Sequence, residues 1–131
     1  MDEQKLRAYY DEHPEQFTEV IQTAHILVED EALANALYEK VADGEDFSAL
    51  ATAHSICPSS AKGGDLGFFP RGLFVAEYEA ASRQIERVGD FTTPVKSRFG
   101  YHIIKLLDKK AVLAFEDCKD TIAMILENPK T

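Results

Sequence analysis

The sequence predicts an α+β domain built on a mostly antiparallel sheet. Three observations carry that reading. Its elements run strand, helix, helix, loop-strand, helix, strand, strand. The last two strands follow closely enough to close as a hairpin. The chain has 131 residues, 45% hydrophobic, with 8 Phe and 5 Tyr, enough apolar volume for one core.

Residues 1–19 read as a polar helical arm, with Leu6, Tyr9 and Tyr10 as its apolar contacts. Pro14 ends that helix or opens a short turn near Phe17. Val20 to Val28 reads as a strand, with Thr23, His25 and Leu27 on one face and Ala24, Ile26 and Val28 on the other. Asp30 offers an N-cap to a helix bearing Leu33, Leu37 and Val41, which Gly44 closes. Asp46 caps a second helix, whose expected buried stripe is Phe47, Leu50, Ala51 and His54. Ser55 to Gly67 is loop-like, rich in Ser, Pro and Gly. Leu66 to Phe69 reads as a short strand and Val75 to Gln84 as an alanine-rich helix. Phe91 to Val95 is extended, and Tyr101 to Leu107 is the clearest strand, with His102, Ile104 and Leu106 on one face. Phe115 to Leu126 is helical through Phe115, Ile122 and Ile125. These elements divide into an arm (1–19), a central domain (20–110) and a helical tail (111–131).

The net charge is −9, but it is unevenly spread. Residues 1–46 hold 13 acids and 3 bases, whereas residues 47–107 hold 5 acids and 7 bases. Nucleic acid is not an expected partner, because phosphate contacts need clustered Lys and Arg. No apolar run approaches the roughly 20 residues of a membrane-spanning helix, so no membrane insertion is expected. Two cysteines cannot form a disulfide framework, and the acidic opening Met1-Asp2-Glu3 lacks a signal-peptide pattern. These features predict a cytoplasmic protein, or equally a domain cut from an exported one.

His25 and His102 fall mid-strand, and Cys57 lies in the Ser/Pro/Gly loop. Three chemistries compete for this set. Imidazole and thiolate suit zinc, yet the spacing matches no close-pair ligand motif. A histidine-activated cysteine nucleophile is the second reading. The third is a non-covalent site with a polar, hydrogen-bonded floor. Periodicity does not separate them.

Three longer strings do: AHILV at 24–28, DFSALATAHSICPSSAKGGDLGFFPRG at 46–72 and PVKSRFGYHIIK at 94–105. In this order and spacing, from about Thr23 to Leu107, the chain resembles the parvulin family of peptidyl-prolyl cis/trans isomerases. The resemblance implies a four-stranded antiparallel sheet surrounded by helices, here with extra helical flanks at both termini. It implies catalytic positions at His25, Cys57, Ser97 and His102, and proline-ring walls at Leu66, Phe74, Tyr78 and Phe99. No cofactor or metal is expected, and the implied partners are proline-containing peptides or unfolded client proteins. Phe74, Ala76 and Tyr78 depart from the family's usual Met, Pro and Phe, and the added Tyr78 hydroxyl needs a partner when buried.

Phosphate-directed members carry a basic cluster after the first strand. Here that segment is Glu29-Asp30-Glu31, so no preference for phosphorylated Ser/Thr-Pro is expected. The flanks YYDEHPEQF and AFEDCKDTIAMIL resemble those joining parvulin domains to chaperone helices in larger exported foldases. Further domains of a longer chain, and a weakly catalytic peptide-binding or chaperone module, are therefore the alternative. His13 is expected to be exposed, Arg71 and Arg98 to flank the cleft, and Cys118 to stay unbridged in the tail helix.

Overall fold

The computed structural model describes residues 2–127. Met1 and residues 128–131 of the expected tail lie outside that range. In chain order the elements are α1 (Glu3–Glu12), β1 (Thr18–Val28), α2 (Glu31–Ala42), α3 (Phe47–His54), β2 (Asp65–Phe68), α4 (Ala76–Arg83), β3 (Val95–Ser97), β4 (Gly100–Val112) and α5 (Phe115–Glu127). Short 3-10 turns follow α1 at Pro14–Gln16 and precede β2 at Pro58–Lys62.

The caps explain where the first helices start. Asp2, Asp30 and Asp46 each accept a backbone N–H of the first turn, from Gln4, Leu33 and Ala49 respectively. The strands form one antiparallel sheet in the order β2-β1-β4-β3. Its central pair sets Thr23 opposite Leu106, His25 opposite Ile104 and Leu27 opposite His102. These six residues share one sheet face, on which α4 packs through Tyr78. The opposite face, with Ala24, Ile26, Val28 and Ile103, packs under Ala34, Leu37, Val41, Phe47, Leu50 and Ala51 of α2 and α3.

The sheet is longer than the sequence suggested. β1 opens at Thr18, where Glu19 takes a left-handed φ of 51°, and β4 runs on through Asp108-Lys109-Lys110-Ala111-Val112. That extension is a two-stranded ribbon without a continuous buried face, so hydrophobic alternation does not announce it. Expectations about β3, His54 and Leu33 need correction. β3 lies at Val95–Ser97, not 91–95; Phe91 makes only an isolated bridge to Lys105, and Pro94 has no N–H to donate. His54 is exposed, because α3 ends there and Ser55 turns the backbone to an extended conformation. Leu33 sits on the flank of α2 while Ala34 takes the buried position.

Arm and tail share a second core. Leu6, Phe17, Val20, Leu113, Phe115, Cys118 and Ile122 cluster at the end of the ribbon. The Tyr10 hydroxyl donates to the Leu113 carbonyl at 2.7 Å, and the Arg7 guanidinium lies 4.9 Å from the Phe115 ring centre. His13 is half-buried rather than exposed, stacked on Tyr9 with ring centres 4.1 Å apart. Burial pushes the Cys118 thiol up to about 11, which keeps it protonated and inert at neutral pH.

Candidate active site

The β1–β4 register makes His25 and His102 diagonal neighbours on one face. Their rings stack with centres 5.2 Å apart, and the two Nδ1 atoms are 3.0 Å apart in a hydrogen bond. His102 Nε2 lies 2.6 Å from Ser97 Oγ, which also accepts the Phe99 backbone N–H at 3.1 Å. Tyr78 of α4 meets both imidazoles nearly perpendicularly, at 5.4 and 5.3 Å between ring centres. Its hydroxyl finds the partner it requires in Thr23 Oγ1, 2.8 Å away.

Burial pulls both histidines well down. His25 falls from 6.5 to about 4, chiefly by desolvation and secondarily through the charge of His102. His102 also falls to about 4 by desolvation, against the opposing pull of the Glu77 carboxylate. The pair is therefore neutral at physiological pH and is a poor general acid. An unfolded chain takes up these protons near 6.5, the folded one only near 4. The stability this pair contributes is thus complete above pH 6.5 and lost as pH falls through 4. Nitrogen NMR shifts of both rings should report the neutral form at pH 5.5, and the urea midpoint should fall between pH 6.5 and 4. Rings that titrate near 6.5 in the folded protein would contradict the assignment.

Above this floor opens a cleft of about 1020 Å³. It collects His25, His102, Cys57, Leu66, Phe74, Tyr78 and Phe99, seven of the eight site positions read from the sequence. The eighth, Ser97, stands behind His102 and meets the cleft only through that ring. Phe74 packs on Phe69 and Tyr78, with ring centres 4.9 and 4.6 Å away, so Phe74 and Tyr78 form one aromatic wall with Phe69 against Phe74. Phe99, half exposed at the tip of the β3–β4 turn, forms the opposite rim beside Arg98. Ile56, Pro58, Leu73 and Val75 complete the apolar surface, and Glu29 and Glu77 reach its mouth. Of these the sequence marks only Glu29, in the acidic run Glu29-Asp30-Glu31; Ile56 is legible only as a lone apolar residue in a polar loop. Arg71 is not among the residues lining the cleft, although its neighbour Gly72 is; its N–H donates to the Gln16 carbonyl, beside the arm.

The geometry sorts the three chemistries. His25 and His102 spend their Nδ1 atoms on each other, and no cluster of three His, Cys, Asp or Glu side chains suited to a metal occurs among the described residues. The Cys57 thiol makes no hydrogen bond to either imidazole among those residues, and His25 Nε2 is buried without a hydrogen-bond partner there. An apolar-walled cleft over a neutral polar floor remains.

The profile of the rotamase family, the PPIC-type PPIase domain, matches residues 17–108. The chain belongs to this peptidyl-prolyl isomerase family. Among curated relatives, a foldase protein PrsA of Caldanaerobacter subterraneus subsp. tengcongensis is 44% identical over 129 residues, covering 98% of this chain and 41% of the relative. Foldase protein PrsA 4 of Bacillus cereus is 48% identical over 111 residues, covering 84% and 39%. The chain thus spans about two fifths of the length of these relatives. Among solved structures, PrsA of Bacillus anthracis superposes with a TM-score of 0.72 at 34% identity, covering 94% of this chain and 58% of that one. The parvulin of Nitrosopumilus maritimus superposes with a TM-score of 0.61 at 42% identity, covering 70% of this chain and 98% of that one. The four-stranded antiparallel sheet with its helices is the fold these structures share with it.

Proposed function

We propose that the cleft accelerates cis/trans exchange of X-Pro bonds without forming a covalent bond to the substrate. Amide resonance opposes rotation by ~18–20 kcal/mol, and uncatalysed X-Pro exchange takes tens of seconds or longer. A catalyst must hold the twisted amide better than either planar form. The planar amide carries more charge on its carbonyl oxygen and is the better hydrated. Taking that oxygen out of water therefore costs the planar forms more than the twisted one.

Each group has a role in this reading. Leu66, Phe74, Tyr78 and Phe99 grip the proline ring. Cys57, a weakly polar side chain on the cleft wall, tunes the environment of the carbonyl. The neutral His25–His102 pair, anchored by Ser97, is scaffold rather than acid–base machinery. The observation that carries the proposal is the stacked, mutually hydrogen-bonded His25–His102 pair beneath the apolar walls of the cleft.

The central segment, residues 20–110, holds these groups and is proposed as the catalytic unit, with 1–19 and 111–131 as flanks. The relatives' name and greater length support a wider role: a portion of a foldase acting on unfolded client proteins. If binding alone were the function, peptide would associate without faster exchange. The acidic run Glu29-Asp30-Glu31 gives no basic seat for phosphate, so phospho-Ser-Pro peptides should turn over no faster than Ala-Pro ones.

The mechanism is tested at Cys57 with a protease-coupled peptide assay. Cys57→Asp should keep kcat/KM within about tenfold of the parent, a change of about 1.4 kcal/mol in barrier. A loss of roughly a thousandfold or more, as for deletion of a covalent nucleophile, would overturn the non-covalent account.

A further inference from the structure

The segment that carries Cys57 is fastened to the strand that carries His25, and one side chain makes the fastening. β2 pairs with β1 only as far as Asp65, opposite Ala24, after which the His25 N–H donates to the Gly64 carbonyl at 3.0 Å. Beyond that point residues 55–57 take over the open edge of β1. The Ile56 N–H donates to the Leu27 carbonyl at 2.8 Å. Ser55 Oγ accepts the Leu27 N–H at 3.0 Å and the Cys57 N–H at 3.4 Å. One hydroxyl therefore serves two backbone donors, one two residues after His25 and the other belonging to Cys57. Ser55 is also where α3 ends, its own N–H donating to the Ala51 carbonyl at 2.9 Å. A hydrogen-bonding side chain is needed here because the extended turn leaves both N–H groups without a carbonyl partner.

We propose that Ser55 is a positioning residue: its hydroxyl sets where the Cys57 thiol stands on the cleft wall. The effect on catalysis rests on the role proposed for Cys57, but the positioning can be read independently. Without the hydroxyl, Leu27 and Cys57 lose their acceptor and the 55–57 segment is held to β1 by Ile56 alone. The thiol then loosens from the cleft wall while the fold's core contacts remain.

Thiol alkylation reads the position directly, since Cys118 is buried and Cys57 is the accessible thiol. In the full chain, Ser55→Ala should raise the rate of Cys57 alkylation by iodoacetamide about fivefold, because thiol reactivity follows access. Ser55→Thr, which keeps the hydroxyl, should restore the parent rate within about twofold. The same alanine variant should lower kcat/KM about tenfold, and the loss should vanish in a Cys57→Ala background. An unchanged alkylation rate in Ser55→Ala would overturn the proposal whatever the activity. An equal kcat/KM loss in both backgrounds would overturn its link to Cys57. Parent-like activity of Cys57→Ala alone would instead overturn the role of the thiol, leaving alkylation to decide the positioning. Should Ser55→Ala fail to fold, hydrogen exchange of the parent decides: the Leu27 and Cys57 amides should both be protected, and free exchange at either refutes the fastening.

Discussion

Gly64→Ala should lower the unfolding free energy by about 2–5 kcal/mol, combining the strain of a left-handed backbone with overpacking. Gly64 has φ +86°, and an added Cβ would fall 2.4 Å from the His25 carbonyl oxygen and 3.1 Å from the Ala51 Cβ. The first contact is with backbone and cannot be relieved by a rotamer change. It is also the backbone of a floor residue, and the Gly64 carbonyl accepts the His25 N–H. The chain can accommodate alanine only by pushing the 62–65 turn off β1, which exposes the sheet edge and shifts His25. Urea unfolding with a paired kcat/KM measurement should find both reduced. Against a total stability of about 5–15 kcal/mol for a domain, this is a large share. Wild-type stability in Gly64→Ala would mean that the turn does not lie against β1 as described.

Tyr78→Ala carries the second large effect. Tyr78 is among the largest fully buried side chains, 2% exposed, between Phe74 and the two imidazoles. Removing a buried aromatic ring costs about 3–5 kcal/mol, including the cavity left behind. The change also strands the Thr23 hydroxyl and removes the edge-on support of both histidines. Activity should fall roughly tenfold or more, as expected when reacting groups lose fixed geometry. Tyr78→Phe separates the ring from its hydroxyl: it should cost only about 1 kcal/mol for one hydrogen bond and keep most activity. If Tyr78→Phe proved as damaging as Tyr78→Ala, the hydroxyl rather than the ring would be the main contributor.

These two variants mark how far the residues alone could lead. Period-2 alternation placed His25 with Thr23 and Leu27, and His102 with Ile104 and Leu106. It left open whether those two faces are the same, because register is set by strand pairing and by the β4 residue that bulges opposite Gln22–Thr23. Cys57 was a candidate from its residue type and its loop, whereas the resemblance to known motifs supplied Leu66, Phe74 and Phe99, which no periodicity marks. Ser97 was identified but not its place behind His102. His54 misled because helical spacing says nothing of where a helix ends. The ribbon of β1 and β4 and the joint packing of α1 with α5 were illegible for a different reason. Their contacts join residues about a hundred positions apart, such as Tyr10 and Leu113, and each partner alone looks like a half-polar terminal segment.

The central claim is that this cleft turns an X-Pro bond rather than merely holding it. Exchange NMR on an Ala-Leu-Pro-Phe peptide with a small fraction of the protein tests it without a coupling protease. The account predicts cis–trans exchange cross-peaks that appear on addition of protein while the cis population is unchanged, since a catalyst leaves the equilibrium where it was. Shifted peptide resonances with exchange at the uncatalysed rate would show a binding module and contradict it.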